Sequence, residues 1–322
     1  MYKLFGVNMK KPFVSVVVCT RNRPDDLREC LASLKKQGYL KFEIIVVDNG
    51  DDKRTAEVAE KMSVRYVPAP LKPNLPYARN VGLEASKGEI VVYCDDDIIA
   101  EDGWLPSLIS AYSEGVGAVG GKVLVPETSG LMEEELEKAK GLKKAVLGFL
   151  AFLIDYRGRG KVTNTGQVTG FYGITSVQEV DHMQGCNMSY RKVLLEKIGG
   201  FDEMFGIGYP FRDDTDASVR VKKTGQKIIF VPEASVFHKL SKTDPKFYRR
   251  NYYYRNCEHI YFVFKNSLIH GSGYLKFPVQ QMADILIYAA LALRERNPSV
   301  FTATVMGKLA GFALVLRSKK TL

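Results

Sequence analysis

One stretch of the sequence limits the fold more than any other. An apolar run at residues 89–94 has the length of a strand and is followed directly by Asp95, Asp96 and Asp97. This pattern predicts a buried parallel strand that brings negative charge to the carboxyl edge of a sheet, where open α/β sheets bind ligands. Three adjacent carboxylates repel one another, so holding them together is costly unless a cation lies among them. Their oxygens suit Mg²⁺ or Mn²⁺. The alternative interpretation is a solvated acidic turn that caps the next helix.

Strand and helix patterns alternate before this stretch. Apolar, β-branched runs predict strands at residues 14–19, 43–47 and 64–67, and segments with one apolar helical face separate them. Such alternation indicates a parallel, Rossmann-like sheet whose loops gather along one edge. The side chains expected at this edge are those of Thr20, Arg21, Asp48, Arg79 and Asp95 to Asp97. We therefore predict an α/β catalytic domain over residues 1–245 and a basic, mainly helical extension over residues 246–322.

The sequence lacks the glycine-rich loops that bind phosphates in dinucleotide enzymes and in P-loop ATPases. Neither a dehydrogenase nor a P-loop ATPase is therefore supported. A nucleotide could instead be held by Asp48 on the base, by Asp95 on the base or ribose, and by a metal ion on the pyrophosphate. Arg79 could add a cation. The alternative for Asp48 and Arg79 is a helix cap or a surface ion pair.

The second half of the chain carries another acidic cluster, formed by Asp213, Asp214 and Asp216 at a predicted helix start. Negative charge is favourable there because of the helix dipole, so capping is one interpretation. Capping needs one carboxylate, however, and a carboxylate that faces a bound sugar acceptor could deprotonate its attacking hydroxyl. His238 ends a segment of alternating apolar residues and is either a structural residue or a third metal ligand.

Five ordered sequence blocks between about residues 13 and 238 carry a family resemblance. They are VSVVVCTRNRPDDL, EIIVVDNGDD, ARNVGLEASKGEIVVYCDDD, GCNMSYRKVLLEKIGGFDE and RDDTDASVRVKKTGQKIIFVPEASVFH. With these blocks the chain resembles the inverting nucleotide-sugar glycosyltransferases of family 2. These enzymes have the GT-A fold, a Rossmann-like, mainly parallel mixed sheet flanked by helices.

The resemblance implies roles for individual residues. Asp95 and Asp97 would form the DxD motif, with Asp97 on a Mn²⁺ or Mg²⁺ ion and Asp95 towards base and ribose. His238 would be a further metal ligand. Contacts with the nucleotide-sugar are expected from Thr20, Arg21, Asp48, Arg79, Asp95 and Asp96.

The resemblance also implies the reaction. Most relatives have a glutamate-aspartate pair where this chain has Asp213 and Asp214, and their catalytic aspartate aligns with Asp214. Asp213 keeps the charge of the glutamate but not its reach, so either carboxylate is a candidate base. The base would take a proton from an acceptor hydroxyl, whose oxygen attacks the anomeric carbon and releases the nucleoside diphosphate with inversion. A UDP-sugar is the expected donor, and a glycan or lipid-linked sugar is the expected acceptor.

Two other classes of function stay open as alternatives. A catalytically inactive GT-A module would bind nucleotide-sugars without transferring them, but decay of this kind is expected to remove the DxD motif or the base, and both are present. A sugar-phosphate nucleotidyltransferase also uses metal-binding aspartates, but it would carry a glycine- and lysine-rich triphosphate loop after the first strand. The sequence has none there.

The net charge of +10 belongs to the end of the chain. Residues 246–322 contain twelve Lys and Arg but three acidic residues, whereas residues 1–245 are almost neutral. A nucleic-acid binder would spread its positive charge over the main domain or carry a recognised motif, so no nucleic-acid partner is expected. The five cysteines form no CxxC pair and the first residues show no apolar signal segment, so a cytoplasmic location is expected.

Apolar helical patterns in the basic extension suggest contact with a membrane surface. Residues 282–293 and 300–316 have such patterns, and an earlier apolar run at residues 145–154 follows two lysines. Because Lys308 lies in its middle, segment 300–316 is expected to lie on an anionic membrane surface, on the cytoplasmic face, rather than to cross it. The alternative is that these helices pack on the catalytic domain or on the second subunit of a homo-oligomer.

Overall fold

The computed structural model describes most of the chain. The described residues are 11–70, 74–125, 158–206, 208, 211–240, 247–294 and 296–318. The predicted apolar run at residues 145–154 lies outside them.

The described residues form nine strands and nine α-helices. The strands are β1 Val14–Thr20, β2 Phe42–Asp48, β3 Arg65–Pro68, β4 Ile90–Asp95, β5 Ile98–Ala100, β6 Val116–Leu124, β7 Gln178–Val180, β8 Met188–Arg191 and β9 Lys227–His238. The helices are α1 Pro24–Lys35, α2 Arg54–Lys61, α3 Leu75–Ala85, α4 Trp104–Ser110, α5 Lys192–Lys197, α6 Asp213–Lys223, α7 Phe247–Lys265, α8 Gly273–Arg294 and α9 Pro298–Ser318. The four strands predicted up to the acidic stretch are β1 to β4.

The first half of the sheet is parallel. β3, β2, β1 and β4 lie side by side in this order and run in the same direction. β8 lies antiparallel to β4 and to β6, and β6 pairs in parallel with β9. β7 and β5 pair antiparallel with the two ends of β9. The predicted α/β fold with a mixed sheet and a helical C-terminal part is confirmed.

Both faces of the sheet are buried, which explains why its strands are apolar throughout. Val16 of β1 packs in the cluster that includes Leu31 of α1, whereas Val17 packs on the other face with Leu83 of α3. At Gly82 of α3, an added Cβ would overlap a methyl group of Val17. The close approach brings α3 directly onto the sheet and thereby positions Arg79, which lies about one turn earlier on the helix.

Helix α7 is tied to α6 by buried polar contacts. Asp216 of α6 is fully buried. Its carboxylate accepts hydrogen bonds from Nζ of Lys265 at 2.8 Å, from Nδ2 of Asn266 at 2.8 Å and from Nε of Arg220 at 2.7 Å. Phe262 of α7 belongs to the same apolar cluster as Val219 of α6.

Helices α8 and α9 complete the C-terminal part. Lys308 of α9 is 6% exposed and donates hydrogen bonds to Gln281 and Asp284 of α8, at 2.5 Å and 3.1 Å. The lysine in the middle of the apolar segment is therefore paired inside the protein. The boundary at residue 245 between a catalytic domain and an extension stays a prediction.

Candidate active site

The carboxyl ends of β1, β2 and β4 lie side by side. Thr20 is paired with Asp48 in the sheet register, and the residue before Thr20 is paired with Asp95. All three side chains therefore start from one edge of the sheet, where ligands of such folds bind. Asp96 and Asp97 form the turn that follows β4, here called the acidic turn, and both are buried.

Asp95, Asp97 and His238 form a cluster of potential metal ligands. One ligand atom of each lies within 4.8 Å of the other two. Nε2 of His238 is 2.9 Å from Oδ1 of Asp97 and 3.9 Å from Oδ2 of Asp95. Strands β5 and β9 create this arrangement, because Ile98 follows the acidic turn directly and is paired with His238 across the sheet.

The cluster fits Mg²⁺ or Mn²⁺. Two carboxylates and an imidazole are donors that Mn²⁺ accepts, and opposite ligands of one such cation are about 4–5 Å apart, which is twice the ligand distance. Burial alone would lower the pKa of His238, but the hydrogen bond and charge of Asp97 and the charge of Asp95 raise it. The cluster therefore already attracts positive charge onto its imidazole.

Asp96 makes different contacts. Its Oδ2 accepts a hydrogen bond from Oγ1 of Thr20 at 2.7 Å, and its Oδ1 lies 3.4 Å from Nη1 of Arg23, which is equally distant from Oδ2 of Asp97. Burial raises the pKa of Asp96 to about 6, although Thr20 and Arg23 oppose the shift. Sequence reasoning missed Arg23. The sequence has two arginines in the loop after β1, Arg21 and Arg23, and the local pattern does not show which of them reaches the acidic residues.

Arg79 links the metal-ligand cluster to the second acidic cluster. It is buried, its Nη1 forms an ion pair with Oδ2 of Asp213, and its Nη2 lies 3.8 Å from Oδ1 of Asp95. Nη2 also donates to the carbonyl oxygen of Gly185 at 3.3 Å. Burial disfavours the charged guanidinium, but Asp213 and Asp95 more than offset it and raise the pKa of Arg79. A permanent cation thus lies between the two groups of carboxylates.

Asp213 and Asp214 begin α6, as the sequence indicated, but their surroundings differ. Asp213 is buried against Arg79, whereas Asp214 is half-buried. Oδ2 of Asp214 accepts from the backbone N–H of Gly185 at 2.8 Å, and Oδ1 accepts from the N–H and the hydroxyl of Thr215. Burial raises the pKa of both carboxyls, and the charge of Arg79 opposes the shift.

The family model for glycosyl transferase family 2 matches residues 15–199, which is more than half of the chain. The chain belongs to glycosyl transferase family 2. The matched segment includes the acidic turn and Arg79, and it ends before Asp213 and His238. The assignment of these last two residues therefore depends on the geometry described above.

Two relatives show what this family 2 chain is similar to. Glycosyltransferase AglE of Haloferax volcanii is 35% identical over 120 residues, which are 35% of this chain and 40% of that protein. The glucosyl-dolichyl phosphate glucuronosyltransferase of the same organism is 26% identical over 242 residues, which are 70% of this chain and 69% of that protein. The matched part therefore spans less than half of the first relative.

A solved structure extends the likeness to the whole fold. The mannosyltransferase PcManGT from Pyrobaculum calidifontis, in complex with GDP-Man and Mn²⁺, superposes with a TM-score of 0.55 at 18% identity. The match covers 99% of this chain and 91% of that one. The predicted GT-A fold of this family 2 chain is confirmed.

The roles expected for the individual site residues all stay predictions, including the nucleotide contacts of Asp48 and Arg21. Asp48 is buried, and its carboxylate accepts from the N–H of Gly50 at 2.9 Å and from the hydroxyl of Tyr66 at 3.0 Å. Arg21 is exposed. In the described part of the chain, Arg21 forms no ion pair with the acidic turn, and the arginine that does so is Arg23.

Proposed function

We propose that this chain transfers a sugar, with inversion, from a nucleoside-diphosphate sugar to a hydroxyl of a glycan or lipid-linked acceptor. A UDP-sugar is preferred over GDP- and dTDP-sugars as donor. The observation that carries the proposal is the position of Arg79, which contacts both Asp95 of the metal-ligand cluster and Asp213 next to the candidate base. Groups suited to a diphosphate and a group suited to an attacking hydroxyl therefore meet at one sheet edge.

The donor diphosphate would bind beside the first acidic cluster. Asp95, Asp97 and His238 would hold Mn²⁺ or Mg²⁺, which when bound neutralises the charge of the diphosphate. Arg79 adds a fixed positive charge on the same side. The hydrogen bond from Thr20 to Asp96, next to these ligands, helps to hold the acidic turn in one conformation.

Asp214 is the proposed base. Asp213 is buried and engaged by Arg79, whereas Asp214 is partly exposed, which suits a group that accepts a proton from substrate. Hydrogen bonds from Gly185 and Thr215 hold its carboxylate in place. Asp214 takes the hydroxyl proton, the acceptor oxygen forms a bond to the anomeric carbon, and the bond from that carbon to the diphosphate oxygen breaks.

A lipid-linked acceptor agrees with the surface of the C-terminal helices. α8 and α9 expose large apolar side chains that include Leu275, Met282, Leu286, Met306, Leu309 and Leu316. One relative is named glucosyl-dolichyl phosphate glucuronosyltransferase, and dolichyl phosphate is a lipid. We infer that α8 and α9 contact an anionic membrane on its cytoplasmic face, with the apolar side chains in the interface.

The helix α9 is compatible in length and composition with a membrane span. Among the described residues, its segment Pro298–Arg317 is long and apolar enough to cross a membrane, and about a third of it is buried in the protein. Lying on the surface is nevertheless favoured, because Lys308 is held by Asp284 and Gln281 of α8. A crossing helix would have to carry this polar group into the hydrocarbon region, which is costly.

A panel of nucleotide-sugars tests the reaction. The purified protein is incubated with manganese, lipid-linked sugar acceptors and UDP-, GDP- or dTDP-sugars, and free nucleoside diphosphate and glycosylated acceptor are quantified. Release of UDP with formation of a product of inverted configuration is expected. Binding without turnover would identify an inactive module. In a parallel incubation with a nucleoside triphosphate and a sugar 1-phosphate, formation of nucleotide-sugar with release of pyrophosphate would identify a nucleotidyltransferase.

A further inference from the structure

We propose that Arg212 and Arg255 bind a phosphate group of the acceptor, next to the base Asp214. This inference rests on the proposed function, because it gives the acceptor its chemical class. Arg212 directly precedes α6, whose first turn carries Asp214, and Arg255 projects from α7. Neither residue is part of the metal-ligand cluster or contacts Arg79 in the described part of the chain.

The two arginines occupy a common site between α6 and α7. Cζ of Arg212 lies 5.6 Å from the ring centroid of Phe262 on α7, and Cζ of Arg255 lies 5.6 Å from the ring centroid of Phe211, which precedes Arg212. The backbone N–H of Phe211 also donates to Oε2 of Glu258 at 2.8 Å. Each guanidinium is thus packed on an aromatic ring of the opposite segment, and a hydrogen bond joins the two segments.

Neither guanidinium forms an ion pair with a carboxylate among the described residues. The contacts that they make there are the two with aromatic rings. The contrast with the rest of the chain is clear, since Arg79 and Arg220 form short ion pairs with carboxylates. Burial and the neighbouring charge of Arg255 lower the pKa of Arg212 to about 10, although the charges of Asp214 and Glu258 oppose the shift.

Glu258, the nearest acidic residue of α7, is hydrogen-bonded to the backbone rather than to either guanidinium. One of its oxygens accepts from Phe211, while the other has no hydrogen-bond partner in the described residues. Burial raises the pKa of Glu258 well above its usual value, although the hydrogen bond from Phe211 opposes the shift. Two neighbouring guanidinium groups therefore lie beside the base, and among the described residues neither forms an ion pair with Asp214 or Glu258.

A phosphate matches these groups best. Guanidinium groups bind phosphate oxygens in a two-pronged fashion, and packing on aromatic rings holds these two in position. The charged neighbours of Arg212 are Arg255, Asp214 and Glu258, not the aspartates of the donor cluster. In a lipid-linked sugar the phosphate is attached to the sugar itself, so binding it at Arg212 and Arg255 brings a sugar hydroxyl close to Asp214.

Binding of farnesyl phosphate to the full-length protein tests the inference. Isothermal titration calorimetry is performed in EDTA, so that no divalent cation can bridge the probe to the acidic cluster, and farnesol is the uncharged comparison. We expect the wild type to bind farnesyl phosphate about tenfold or more tightly than farnesol, and the double variant Arg212→Gln/Arg255→Gln to lose this preference. Arg212→Lys/Arg255→Lys is expected to retain part of it, because the charge is kept but the two-pronged contacts are lost.

Controls separate a phosphate site from other roles. Arg294→Gln removes an exposed cation of α8 and is expected to change nothing, and thermal unfolding shows that each variant is folded. Equal affinities for farnesyl phosphate in the wild type and the glutamine variant, or no binding by the wild type, would overturn the inference. Loss of UDP binding in the presence of Mn²⁺ would instead assign the arginines to the donor diphosphate.

The calorimetric titration of farnesyl phosphate does not require the transfer reaction to occur, so the two proposals can fail separately. If no nucleotide-sugar supports turnover but farnesyl phosphate binds as expected, the proposed function fails and the phosphate site stands. If transfer occurs and the glutamine variant has an unchanged KM for a phosphate-containing acceptor, the phosphate site fails and the proposed function stands.

Discussion

The imidazole of His238 lies 2.9 Å from the carboxylate of Asp97, although the two residues are 141 positions apart in the chain. The antiparallel pairing of β5 with the end of β9 creates this contact. It completes a group of three ligand atoms with Asp95. The first prediction concerns this group.

Asp97→Ala is expected to abolish metal-dependent nucleotide binding, because the cation loses a ligand and the diphosphate keeps its uncompensated charge. Calorimetric titration of UDP with and without Mn²⁺ measures the effect. His238→Ala is expected to raise the Mn²⁺ concentration needed for binding more mildly. Asp102→Ala, which removes an exposed carboxylate after β5, is the control. The assignment would be contradicted if Asp97→Ala bound UDP with Mn²⁺ as strongly as the wild type.

Asp214→Asn is expected to lower kcat by about 100-fold or more while UDP binding stays close to that of the wild type, because proton removal alone is lost. Asp213→Asn has a different expected effect. It leaves the buried charge of Arg79 without its partner, so donor binding and stability should fall together. A larger loss of kcat with intact donor binding in Asp213→Asn would make Asp213 the base.

Asp216→Ala is expected to destabilise the protein by about 3–5 kcal/mol, because Lys265 and Arg220 then lose a buried partner. Urea unfolding followed by circular dichroism measures this change. Asp25→Ala removes an exposed ion pair with Arg28 on α1 and serves as the comparison. Equal stabilities of the two variants would show that Asp216 does not anchor α7.

The burial of His182 predicts that the folded protein loses stability in acid. The imidazole is buried, its Nε2 donates to the carbonyl oxygen of Thr169 at 3.0 Å, and burial lowers its pKa from 6.5 to about 4. Between these two values the unfolded chain binds a proton that the folded protein does not, so stability falls as pH falls from about 6.5 to about 4 and this contribution is constant below that.

The size of this effect is about 3–4 kcal/mol at most, since each unit of pKa corresponds to about 1.4 kcal/mol. His182→Gln should therefore show a weaker dependence of the free energy of unfolding on pH in this window, whatever its stability at pH 7. His270→Gln replaces an exposed histidine and should keep the wild-type slope. An unchanged slope in His182→Gln would contradict the prediction.

Co-sedimentation with vesicles tests the proposed membrane surface. Binding to anionic but not to neutral vesicles is expected, and it should weaken with salt because exposed charges are screened. Leu286→Gln/Leu309→Gln should reduce it, since both side chains are exposed on α8 and α9, whereas Leu40→Gln, at an exposed position of the catalytic part, should not. Equal behaviour with both vesicle types would leave a packing role for these helices.

Much of the fold follows from local sequence pattern. The apolar runs predicted strands that the structure contains, because a strand buried on both faces of a parallel sheet must be apolar at nearly every position. The acidic residues at the ends of these runs predicted the ligand-binding edge, since parallel strands end together. Even the start of α6 at Asp213 was visible as a cluster of acidic residues.

Side-chain pairings were decided by the tertiary structure. Strand and helix periods show which face a residue occupies, but they do not show which distant residue it meets, and this depends on register and packing. The pairing of Arg79 with Asp213, the choice of Arg23 rather than Arg21 at the acidic turn, and the inward position of Lys308 are all of this kind. Each joins groups that lie on separate elements, so no local pattern in the chain records it.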